Sequence, residues 1–160
     1  MALTSYVTVT GAKQGPIKGG CTQSADKKDT ILCYGGDHNI EIPRDTHTGL
    51  PTGQRIHHPY TIIKAKDVSS PKLMQACCTG EGVTVQHDFY EIDPASGAEK
   101  KYFTVKLEDA LLVNHNAYTP ETFIADNKPY HDMEKVSFTY SKITHTFHDG
   151  NIEYTDDWKG

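Results

Sequence analysis

Residues 133–155, MEKVSFTYSKITHTFHDGNIEYT, change parity part-way along. Val136, Phe138 and Tyr140 occupy even positions, whereas Ile143, His145 and Phe147 occupy odd ones. Side chains of a strand alternate between its two faces, so one apolar face survives the change only if a β-bulge near Ser141-Lys142 absorbs a residue. Bulges bend strands, and bent strands close sheets into barrels. Asp149-Gly150 then signals a tight turn, and the residues after it return as a hairpin partner.

The flanking segments agree with a β-rich chain. VTVQHDFYEI (83–92) sets Val83, Val85, His87 and Phe89 on one face. DPASGAEK turns into KYFTVKLEDALLV (101–113), where Phe103, Val105 and Leu107 share a face, so the two runs form a long hairpin. SYVTVT (5–10) alternates, with Val7 and Val9 on one parity and Tyr6 and the threonines on the other. TILCY, HNIEIP and PYTIIKAKDV are shorter runs of strand character, the last despite two lysines. Residues 114–131, with two prolines and no period, read as a loop holding at most a helical turn.

One helix interrupts the strands, over about 70–79 in SSPKLMQACCTG. Ser69 or Ser70 supplies the N-cap, Pro71 fits the first turn, Leu73, Met74 and Cys77 form the apolar face, and Gly80 ends it. With no internal repeat or linker, the expectation is a single domain over 1–160, mainly β, sandwich or barrel, with one short helix packed on it.

Composition narrows the function. The 160 residues carry 16 Lys and Arg against 21 Asp and Glu, a net charge of -5, and no basic stretch interleaved with aromatics. Nucleic acid is therefore not an expected partner. No run approaches a membrane span, and MALTSYVTVTG lacks the basic and apolar regions of a secretory signal, so synthesis in the cytoplasm is expected. Cys21, Cys33, Cys77 and Cys78 match neither a disulfide scaffold nor a zinc ribbon and read as reduced, mostly buried thiols.

The stretch EIPRDTHTGLPTGQRIHHP (41–59) invites catalytic readings, none of which holds. Asp45-Thr46 is separated from Gly49 by His47 and Thr48, which breaks the Asp-Thr-Gly of aspartic proteases. His57 and His58, being adjacent, point to opposite faces of a strand and cannot both bind one ion without distortion. His145 and His148 have helical spacing inside a strand pattern. No zinc-ligand spacing, nucleophile elbow or phosphate loop is present, so neither a cofactor nor a metal is expected and the chain reads as structural or binding rather than enzymatic.

A wider pattern is more specific than any of these motifs. His38-Asn39, Ile42-Pro43, Asp45, Thr48-Gly49, Thr52-Gly53, Arg55-Ile56-His57 and Pro59 are followed by Ser69-Ser70-Pro71 and Leu73, then by YFTVKLEDALLV, MEKVSFTYSKIT and DGNIEYTDDW. In order and spacing this resembles the hemolysin-coregulated protein (Hcp) family, the tube protein of the bacterial type VI secretion system. His145 stands where many relatives place an aromatic, and residues 11–36 match only loosely.

The resemblance implies a two-sheet β-barrel with one α-helix, like a phage tail tube, assembling as a homo-hexamer whose rings stack into a secreted inner tube. It further implies a VgrG spike at the tip, a contractile sheath outside, small effector proteins in the lumen, and release to the medium or a target cell without a signal peptide. The chain ends at Trp158-Lys159-Gly160, about where such a tube domain should, so an appended toxin is not expected. The alternatives are a stand-alone β-sandwich binding module and a small β-barrel enzyme or toxin. Within the loop 41–59, Asp45, Thr48, Gly49, Leu50 and Arg55 are the residues expected to touch neighbouring protomers or stacked rings.

Overall fold

The structure, a computed structural model, describes residues 2–23 and 27–158; the chain end at Lys159-Gly160 lies outside them. Strands β1 (Ser5–Gly11), β3 (Ile31–Asp37), β6 (Tyr60–Ala65), β7 (Val83–Ile92), β8 (Glu99–Tyr118) and β9 (Met133–Thr139) pair in the order β8-β7-β1-β3-β6-β9, and β9 pairs back onto β8. The sheet therefore closes into a barrel, which decides between the barrel and sandwich expectations. Strand β2 (Gly15–Ile17) pairs with β1, β4 (Ile40–Glu41) with β5 (Ile56–His57), and β10 (Lys142–Phe147) with β8 on one side and β11 (Ile152–Asp157) on the other.

The parity change lies where the sequence places it. β9 and β10 run along one edge of β8 as a single line, interrupted at Tyr140-Ser141, with Leu111 opposite Thr139 and Glu108 opposite Lys142. Val136, Phe138 and Tyr140 on one side of the break and Ile143 on the other all enter the core. β8 changes parity at the same level: Val105 and Leu107 give way to Ala110 and Leu112, through Asp109 at φ 51°. Ser141 N–H and Oγ–H both donate to the Glu108 carbonyl at the kink. Above it β9 pairs with β6 and closes the barrel; below it β10 carries β11 away as an extension.

Two expectations need correction. β8 runs to Tyr118, so 114–118 is strand rather than loop, its backbone paired along β9; only 119–131 is irregular, with a 3-10 turn at Ala125–Asn127. The polar, proline-flanked sequence hides this because, among the described residues, this half of β8 has one paired edge and mostly exposed side chains. His145 and Phe147, expected on the apolar face with Ile143, are exposed because the β10–β11 ribbon has left the barrel.

Helix α1 spans Ser70–Thr79 with Pro71 in its first turn, and Gly80 ends it at φ 70°, a conformation that glycine adopts without steric cost. Its buried face is Leu73 and Ala76 with Cys77 packed beside them, whereas Met74 is 57% exposed. Positions i, i+3 and i+4 share a helical face, and Met74 sits about 100° around from Leu73. Ser69 makes no side-chain cap; its hydroxyl donates to Asp67.

The helix connects the ends of β6 and β7 and seals that end of the barrel over Val83 and Ala110. Beneath its first turn the Lys64 ammonium is fully buried, 2.7 Å from the Glu134 carboxylate and 3.1 Å from Asp67. Ser70 Oγ–H also donates to Glu134. A charge so deep is tolerable only when paired and hydrogen-bonded, as here. Cys21 and Cys33 are buried, Cys77 is half-buried, Cys78 is exposed, and all four are free thiols.

Candidate functional site

The segment 41–59, read as a loop, is mostly a protruding hairpin over residues 40–57. Ile40 pairs with His57 and Glu41 with Ile56, and an isolated bridge joins Arg44 and Pro51 further out. Thr52 N–H donates to the Pro43 carbonyl at 2.6 Å. At the tip Asp45 N–H donates to the Leu50 carbonyl and Gly49 N–H to the Asp45 carbonyl. Asp45 Oδ1 accepts from His47 N–H at 2.9 Å, and Thr48 Oγ1 from Leu50 N–H at 3.3 Å. Gly49, at φ 71°, takes the left-handed corner that these bonds require.

Asp45, Thr48, Gly49 and Leu50 thus lie together, the polar pair shaping the tip and Leu50 left 64% exposed on it. Ile40, Ile42 and Ile56 are also exposed along the hairpin. Arg55 lies apart at the root, where its guanidinium binds Asp156 of β11 with both carboxylate oxygens, at 2.7 and 2.8 Å. That pair holds the Asp156 carboxyl below the usual carboxylate range, with His57 adding to the effect.

Sequence reasoning missed how the root is anchored. His57 and His58 do face opposite ways: His58 reaches Glu41 on the surface at 2.8 Å, while the His57 side chain is fully buried. His57 Nε2 lies 2.7 Å from Asp156 Oδ2, and Nδ1 lies 2.7 Å from the Tyr140 hydroxyl. The same hydroxyl is 2.6 Å from His38 Nε2. The Trp158 ring stacks on His57 at 5.0 Å and 14°, and its indole N–H donates to the Tyr140 carbonyl. Partners 83 to 102 residues apart leave no local signal; a His-x-x-His metal pattern would be visible, but a chain of single contacts is not.

The barrel end opposite α1 opens into a cleft of about 1080 Å³ lined by Tyr60, His87, Phe89 and Phe103, with His38 and His145 at its side. At its floor Tyr60 Oη lies 2.7 Å from His87 Nδ1, and His87 Nε2 lies 2.6 Å from Ser5 Oγ. Burial lowers the His87 imidazole to about 4. A serine beside an imidazole has the outline of a nucleophile and its base, but so weak a base beside a 6% exposed hydroxyl is a polar link in a core. His38 is likewise lowered to about 4, by burial first and then by His145 and His57. Among the described residues no group of three His, Cys, Asp or Glu side chains converges as metal ligands would.

Comparison with known proteins explains why no catalytic centre emerges. Residues 6–147 match the family model described as "Type VI secretion system effector, Hcp". The chain belongs to the Hcp family. It is 36% identical to the "Major exported protein" of Pseudomonas aeruginosa over 99% of this chain and 97% of that one. Among solved structures, a crystal structure of an Hcp protein superposes with a TM-score of 0.90 at 26% identity, covering 98% of both chains. The Hcp1 protein from E. coli superposes with 0.85 at 34% identity, over 98% of this chain and 99% of that one. Hcp proteins are secreted tube subunits of the type VI machine and are structural rather than enzymatic.

Proposed function

We propose that this Hcp chain is one tube domain over residues 1–160 that forms hexameric rings, stacking into the secreted inner tube with small effectors held in the lumen. A VgrG spike at the tip and a contractile sheath outside are the partners this reading requires. The observation that carries it is the hairpin: an apolar Leu50 held out on a built, hydrogen-bonded tip has no use within the monomer. Asp45, Thr48, Gly49 and Leu50 meet a neighbouring protomer or the next ring, and Arg55 fixes the angle of the hairpin that presents them.

The strand edges support the same reading. Among the described residues β11 pairs only with β10, and β8 beyond Ala110 only with β9. Exposed edges invite aggregation unless they are covered, and a ring repeating one heterologous contact covers them. Sizing by light scattering and electron microscopy test the proposal: a six-fold annulus is expected. Leu50→Asp should fold normally and lose rings or secretion. Rings and secretion unchanged in that variant would remove the tip from the interface, and a monomer at every concentration would end the ring reading altogether.

A further inference from the structure

At the hairpin root, five side chains from three parts of the fold share one line of hydrogen bonds. His38 precedes β4, Arg55 and His57 belong to the hairpin, Tyr140 sits at the barrel kink and Asp156 on β11. The positions of the protons follow from the acceptors. Asp156, ionised against Arg55, can only accept, so His57 carries its hydrogen on Nε2. His57 Nδ1 is then a lone pair, and Tyr140 Oη–H donates to it. The Tyr140 oxygen in turn accepts from His38 Nε2–H. Each of the three links uses one hydrogen, and none is left over.

This line has room for one more proton and not for two. A proton added to His57 Nδ1 turns the Tyr140 hydroxyl toward His38, which keeps the link by moving its own hydrogen to Nδ1; the chain reverses but stays whole. A second proton, on His38, leaves two imidazolium N–H groups facing one phenol oxygen whose hydrogen then has no acceptor. The two cations also stand on either side of that oxygen, in a junction where His57 is fully buried. We infer that the His38–Tyr140–His57–Asp156 line is a proton-operated latch on the hairpin, closed with no or one added proton and opened by the second.

The surroundings set which proton is the second. Around His38 stand His145 of β10, His57 and His58, which oppose its charge, and Asp37, which favours it. Tyr60 of β6 packs against its ring at 5.2 Å, and His145 lies at 6.4 Å. Around His57 stand Asp156 and Arg55, Tyr140 and the Trp158 ring. His57 thus has the carboxylate beside it, whereas His38 is lowered to about 4 by burial first and then by His145 and His57. The inference rests on the hairpin's role in ring contacts and adds its control: acid frees the segment proposed to bind the neighbour.

The test uses the whole chain. Nitrogen-resolved NMR at pH 7.5 should find His57 and His38 both protonated on Nε2. Amide exchange, corrected for its intrinsic pH dependence, should show residues 40–57 losing at least about tenfold in protection on acidification before β1 and β7 lose any. Trp158, the only tryptophan, should change its emission over the same interval. His38→Gln, whose amide nitrogen reaches the Nε2 position to donate to Tyr140 but cannot become a cation, should shift the opening to lower pH.

An unchanged opening in His38→Gln, simultaneous loss of protection by hairpin and barrel, or a His57 hydrogen on Nδ1 at neutral pH would each overturn the latch. If His38→Gln fails to fold, the tautomers of the unaltered chain decide. Sizing at neutral pH separates the two readings: rings without any acid response of the hairpin defeat the latch alone, and a responsive hairpin on a permanent monomer defeats the ring reading alone.

Discussion

Acid should weaken the barrel through His87, and the size of the effect can be worked out. In the unfolded chain this imidazole binds a proton near 6.5, whereas in the core it does so only near about 4. Above 6.5 both states are neutral and the residue is indifferent to pH. Below it the unfolded state takes up a proton that the folded state refuses, so stability falls as pH falls and the loss is complete below the folded value. The full loss is roughly 3 kcal/mol, with about 2 kcal/mol of it gone by pH 5. Burial explains the refusal, in a packed pocket where the Tyr60 hydroxyl lies against Nδ1 and Ser5 Oγ against Nε2.

His87→Gln keeps an amide near the Nε2 position facing Ser5 but cannot titrate. Urea unfolding followed by Trp158 emission at pH 7.5 and pH 5 measures both proteins. The parent should lose about 2 kcal/mol more than the variant over that interval, which at a typical slope separates the midpoints by roughly 1 M urea. His38 titrates in the same direction but is present in both, so the difference isolates His87. Equal losses in the two proteins would refute the reasoning.

Lys64→Met should cost about 3–5 kcal/mol in thermal or urea unfolding because it strands Glu134, and adding Glu134→Leu should recover most of that. Leu73→Ala should cost about 2–5 kcal/mol by the same measurements, since it empties the helix contact over the barrel end. Gly80→Ala meets no atom within 4 Å, so its cost should be the backbone strain alone, about 1–2 kcal/mol. In native protein a thiol reagent read by mass spectrometry should modify Cys78 first, while Cys33, whose thiol burial pushes up, should react only on unfolding.

The barrel was legible because its signal is periodic. Val7 with Val9, Val83 with Val85, and the switch from Tyr140 to Ile143 write the core directly into the spacing, and the helix is marked by Pro71 and Gly80. The far half of β8 was not legible, because backbone pairing along one edge leaves no trace in exposed side chains such as Val113 and Asn116. The burial of Lys64 was not legible either: only the fold brings Glu134 to it. At the hairpin, the tip could be read from its glycines and short polar residues. Its anchoring could not, since Asp156 and Tyr140 arrive from the other end of the chain.

The paired kink at Asp109 and Tyr140-Ser141 makes β8 and β9–β10 keep step with each other. Leu107 lies opposite Ile143 on one side of it and Leu112 opposite Phe138 on the other, so each half of the ribbon aims its apolar side chains inward independently. Removing a single residue from either strand would rotate one half by a full face, turning Val105 and Leu107, or Val136 and Phe138, out into water. Length changes in this ribbon therefore have to come in matched pairs, one in each strand, and the barrel and its β10–β11 extension can diverge in sequence only as far as that shared hinge allows.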